Sequence, residues 1–150
     1  MEQAPIFRPY EFGVQEKEKL DRDGHFVLPG LLLPQTCERL TQALSTIEAL
    51  VAVGIKDPLP NRNAAEYDSY LESLIAHPQL LTLARQALGD NIRFDHCVTL
   101  NRPSGNGGVR WHSHEYAEDD RRLGFLRIFF YVNGFELGNG NLKAVPGSHL

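Results

Sequence analysis

The residues with the clearest capacity for chemistry are His112 and His114, in the run Trp111-His112-Ser113-His114-Glu115-Tyr116. Side chains two apart in an extended backbone project to the same face, so this pair can present two imidazoles to one point. That is a metal-ligand arrangement. Imidazole suits iron, zinc, copper and nickel, and an iron site of the non-heme oxygenase kind takes three protein ligands on one face and leaves the other positions open. Two of the three are visible here. The competing reading is a solvated pair of histidines in a polar loop. Glu115 would face away from His112 in an extended segment, and His25, His77 and His96 have no companions at ligand spacing, which assigns them to structure.

The elements around the pair must position it. Residues 102–110, with Pro103 and a run from Ser104 to Gly107 that disfavours regular structure, read as a mobile loop leading into Trp111. Before it, Phe94, His96, Val98 and Leu100 alternate with Asp95, Cys97, Thr99 and Asn101, the period-two pattern of a half-buried strand. After it, residues 123–132 read as a second strand with Leu126, Ile128, Phe130 and Val132 on one face and Phe125, Arg127, Phe129 and Tyr131 on the other. Both faces are largely apolar, which predicts that both are covered. Arg127 suits either an anionic substrate group or a surface ion pair. Gly138-Asn139-Gly140 is a turn, and residues 141–145 read as a third strand stopped by Pro146-Gly147.

The first part of the chain has a different rhythm. Residues 1–13 carry Pro5, Pro9 and Gly13 among aromatics and suit an extended arm laid over a surface. A short charged helix is expected over residues 16–21, and a short strand over residues 25–30. The spacing of Leu40, Ala43, Leu44, Ile47, Leu50 and Val51 predicts an amphipathic helix over residues 35–53. Two further helices are expected over residues 64–75 and 78–88, separated at His77-Pro78. Helices first and at least three strands after them define an α+β arrangement on a mostly antiparallel sheet.

Composition narrows the function classes. A chain of 150 residues is expected to form a single domain over residues 1–150, and 42% hydrophobic with 23% charged residues is an ordinary soluble composition. The net charge of -4 and the dispersal of the 15 basic residues exclude a nucleic-acid partner. Cys37 and Cys97 have no metal spacing and read as free thiols of a reducing compartment. With no secretory leader pattern, and no apolar run of the roughly 18 residues needed to span a bilayer, the expectation is a cytoplasmic protein without membrane contact.

Three segments resemble the phytanoyl-CoA dioxygenase family, iron(II) and 2-oxoglutarate oxygenases. They are Asp23-Gly24-His25-Phe26-Val27-Leu28-Pro29-Gly30-Leu31-Leu32, Trp111-His112-Ser113-His114, and Asn139-Gly140 through Pro146-Gly147-Ser148-His149. The resemblance implies a fold in which N-terminal helices pack on an incomplete double-stranded β-helix, a jelly-roll or cupin-like sheet. It implies His112 and His114 as metal ligands, Fe(II) as the metal and 2-oxoglutarate as cosubstrate. It also places Phe130 and Asn101 beside the cosubstrate, and His149 in a turn near the site without being the distal ligand. The sequence departs from the family at His114, where the family has aspartate, and at Asn101, where the family often has a basic residue.

In the family the distal histidine and the arginine that clamps 2-oxoglutarate lie on later strands than Leu150 reaches, so the expectation is the N-terminal portion of such a domain, as a fragment or truncated product. The implied activity is hydroxylation of a small organic substrate. Two alternatives stand beside it. One is a non-catalytic remnant or interaction module that pairs through an open sheet edge, a homodimer being one form. The other is a three-histidine metal dioxygenase that uses no 2-oxoglutarate.

Overall fold

The computed structural model of the chain describes residues 4–102, 105, 108–112, 124–134, 136, 138 and 140–150. Its first helix, α1 (Val14–Asp23), begins where the Glu16 carboxylate accepts the Gly13 N–H at 3.0 Å. It ends at Gly24, whose φ of 76° is a left-handed conformation that favours glycine and whose N–H reaches Leu20 O at 2.8 Å. Helix α2 (Pro34–Ala52) starts with Pro34, a residue that lacks the N–H a first turn leaves unbonded. Thr36, Leu40, Ala43 and Ile47 are its buried stripe, close to the predicted one.

The single helix expected over residues 64–75 is instead two pieces. A 3-10 turn over Ala64–Glu66 stops, and α3 (Ser69–Ile75) starts afresh behind Asp68. The Asp68 carboxylate accepts from Tyr70 N and Leu71 N, both at 3.0 Å, so it caps a new helix rather than continuing the old one. Helix α4 (Pro78–Leu88) is capped by His77, whose Nδ1 accepts the Gln79 N–H at 3.2 Å. The other ring nitrogen donates to Ala4 O at 3.0 Å, so His77, although buried, has both nitrogens bonded and is structural as expected.

The N-terminal arm lies over these helices and becomes part of their core. Ile6, Phe7 and Phe12 are buried beside Leu40, Ala43, Ile47, Leu71, Leu74 and Leu83. Its backbone is held on two sides. Phe7 forms an isolated antiparallel bridge with Leu32, and Gln79 Oε1 accepts from Ile6 N at 2.7 Å and Phe7 N at 3.1 Å. The guanidinium of Arg39 on α2 sits 4.4 Å from the Tyr70 ring centroid on α3, joining those helices at the surface.

The α+β expectation is overturned. Among the described residues the chain is helical, with the Phe7–Leu32 bridge in place of any strand or sheet, so no jelly-roll packs on the helices. Residues 25–30, 94–101, 124–132 and 141–145 do not pair into ladders. A strand needs a partner for its backbone groups, and these segments find other ones. Cys97 O accepts from Ala64 N and Thr99 N donates to Asn61 O, both at 2.9 Å, which pins residues 97–99 to the loop and turn before α3.

That docking also decides which side faces in. Cys97 packs on the core, whereas Phe94, Val98 and Leu100, of the alternating set, are 53%, 43% and 62% exposed. In residues 124–132 the face with Ile128, Phe130 and Val132 does pack on the helical core, and Phe130 stacks on Phe7 with centroids 6.3 Å apart. The opposite face stays open, with Phe125 and Phe129 37% and 45% exposed, so one face is covered and not both. No helix among the described residues is long and apolar enough to cross a membrane.

Candidate metal centre

His112 sits in the segment 108–112, which is neither helix nor strand, and is exposed, as is Trp111 beside it. Its Nδ1 is 2.8 Å from Arg110 O. A carbonyl can only accept, so Nδ1 carries the proton and donates, which makes Nε2 the nitrogen whose lone pair could bind a metal. This is how coordinating histidines are commonly prepared: a backbone carbonyl fixes the tautomer and orients the ring, and the far nitrogen binds the metal. His112 therefore fits a metal in its donor chemistry. His114 and Glu115 lie outside the described residues. Among the described residues no three His, Cys, Asp or Glu side chains come together as a ligand set, so the fit rests on one histidine.

The two candidate cosubstrate neighbours sit in different surroundings. The Asn101 amide donates to the Glu48 carboxylate on α2, which holds the end of the 94–101 segment against that helix. Phe130 is half-buried and lies on Phe7, so it has a packing role whatever it does toward a ligand. Arg127 extends over the Phe125 ring, 5.2 Å from its centroid. Two grooves among the described residues do not include these side chains. One, of about 190 Å³, lies between α2 and α3 beside Arg39 and Asp68; the other, of about 210 Å³, lies between the arm and α4 beside Arg8 and Gln86.

Other histidines go to local partners, as their spacing suggested. His25 Nδ1 donates to Asp23 O at 3.1 Å, and His96 pairs with the adjacent Asp95 carboxylate. His149 behaves differently. Its Nε2 donates to Asp21 O at 3.0 Å, across 128 positions of sequence. Sequence reasoning placed His149 in a family-like turn but held no signal for this contact, nor for the double hold of Gln79 on the arm. Both depend on which segments meet in space.

Residues 20–150 match the family model described as phytanoyl-CoA dioxygenase (PhyH). Over 87 residues the chain is 28% identical to a protein of Stutzerimonas stutzeri named as a probable alpha-ketoglutarate-dependent hypophosphite dioxygenase. That stretch covers 55% of this chain and 29% of the relative, so the chain spans well under half the length of the curated relative it matches. No solved structure matches.

Proposed function

Because the chain belongs to the phytanoyl-CoA dioxygenase family, whose members are iron(II) and 2-oxoglutarate dioxygenases, we propose that it serves hydroxylation of a small organic substrate, with His112 and His114 as metal ligands. Asn101 and Phe130 are assigned to the neighbourhood of the cosubstrate. The observation that carries this reading is the hydrogen bond from His112 Nδ1 to Arg110 O, which orients the ring and makes Nε2 the nitrogen that would coordinate. Iron(II), when bound, would supply the activation of O2 that oxidises both the 2-oxo acid and the substrate. The residues hold and orient; the backbone carbonyl of Arg110 keeps the His112 ring from turning its protonated side to the metal.

A metal titration tests this. Anaerobic iron(II) followed by 2-oxoglutarate should give a visible charge-transfer band with the wild-type chain. His112→Ala should weaken iron binding by at least the roughly tenfold to hundredfold that loss of an outer-shell partner costs. Iron uptake with no band on adding 2-oxoglutarate would point to the three-histidine dioxygenase instead. Hypophosphite belongs in the substrate panel, since the Stutzerimonas stutzeri relative bears that substrate in its name.

The second reading is a non-catalytic module that pairs with another chain, including a second copy of itself. Its support is the apolar surface left open on Phe94, Val98, Leu100 and Phe129. Absence of iron uptake, together with a concentration-dependent rise in mass on sedimentation, would favour it over the first.

A further inference from the structure

We propose that His149 is a positioning residue, a strap that fastens the C-terminal turn to the end of α1 and so sets how residues 124–150 lie on the helical layer. The last turn of a helix leaves carbonyls without partners inside the helix. At α1 the distant turn supplies two of the missing donors. His149 Nε2 donates to Asp21 O at 3.0 Å, and Gly147 N donates to Asp23 O at 3.0 Å.

The ring also has a seat. A Cβ at Gly24 would come 2.4 Å from His149 Nδ1 and 2.7 Å from Cγ, an overlap no side chain can make. Gly24 is thus needed for its positive φ and for the space its missing side chain leaves to the imidazole. From the turn the hold passes back along the chain. Leu142 N donates to Tyr131 Oη at 3.3 Å, and the adjacent Phe130 lies against Phe7. Two of the segments that carried the family resemblance, Asp23-Gly24-His25 and Pro146-Gly147-Ser148-His149, are therefore in direct contact.

With Nε2 given to Asp21 O and Nδ1 packed against Gly24, the imidazole serves to organise the chain. Only its consequence at the site, through Phe130, rests on the proposed dioxygenase function. The strap itself is independent of that reading.

Amide hydrogen exchange on the full chain tests it. His149→Ala should speed exchange of the Gly147 N–H by about threefold to tenfold, the size expected for loss of one hydrogen bond. Exchange at Ile47, inside α2, should not change. His149→Gln, which carries an N–H at the same number of bonds from the backbone, should restore protection, and His149→Phe should not. Unchanged Gly147 exchange in His149→Ala, or restoration by Phe as fully as by Gln, would overturn the strap. A parallel iron(II) and 2-oxoglutarate titration should show His149→Ala needing more 2-oxoglutarate for half-saturation at unchanged iron affinity. Loss of iron uptake in that variant would make His149 a ligand and overturn the proposal. If the wild type takes up no iron, the proposed function fails, and the exchange data still decide the strap.

Discussion

Residues 4–90 hold every fully buried hydrophobic side chain of the described chain, from Ile6 to Leu83, whereas residues 91–150 contribute only partly buried ones such as Cys97, Ile128, Phe130 and Val132. The cause is backbone chemistry as much as hydropathy. A helix satisfies its own N–H and C=O groups within a few residues, so α1 to α4 and the arm can close a core by themselves. Extended segments must find donors and acceptors elsewhere, and here they borrow them from Asn61, Ala64 and the end of α1. The candidate ligand His112 lies in the borrowing half. The lesson is that the helical layer determines whether the chain folds, and the contacts between the halves determine where its chemistry is held.

The largest test of that contrast is a pair of truncations. Ile47, on α2, is 1% exposed, and Ile47→Ala should cost about 2–5 kcal/mol of global stability, measured by urea unfolding followed by circular dichroism. Leu100→Ala removes the same kind of side chain from a mostly exposed position and should stay within about 0.5 kcal/mol of wild type. Equal costs would break the comparison, because they would mean that Leu100 is buried in solution. A smaller effect sharpens it from within the helical layer. Asp68→Ala deletes the cap that accepts from Tyr70 N and Leu71 N, and should cost about 0.5–2 kcal/mol in the same assay.

What could be read in the chain follows the same division. The starts of α2 and α4 were legible because Pro34 and Pro78 mark first turns and the apolar stripe of α2 repeats at helical spacing. The break before α3 was not, because Asp68 looks like any polar residue inside a helix until its carboxylate is seen to take the amides of the next turn. Alternation over residues 94–101 signals two unlike faces, but it does not say which one lies inward. The choice was made by backbone bonds at Cys97 and Thr99, which no side-chain pattern encodes. The same limit hid the absence of a sheet among the described residues, since alternation describes a segment and a sheet requires a partner. At the candidate site, type and spacing single out His112 as a candidate, but its tautomer depends on the Arg110 carbonyl. His114 lies outside the described residues.

Cys97 provides the finest probe, because it sits where the two halves touch. Burial pushes its thiol above the ordinary range, and the negative charge of Asp68 adds to this, while the Ala65 backbone N–H works the other way by favouring the thiolate. The thiolate is the reactive form, so at pH 8 iodoacetamide should modify Cys97 more slowly, by a factor of a few, in the native chain than in urea, as followed by peptide mass spectrometry. The same shift has a sign in stability. The unfolded chain releases this proton at lower pH than the folded one, so the contribution is complete below the ordinary thiol range and declines as the pH rises through the raised folded value. Leu100→Ala should leave the alkylation rate alone, since that side chain faces away from the core that Cys97 contacts. Equal rates for native and urea-treated Cys97 would mean that residues 94–101 do not rest on the turn before α3, and the contact by which the helical layer holds this part of the second half would be lost.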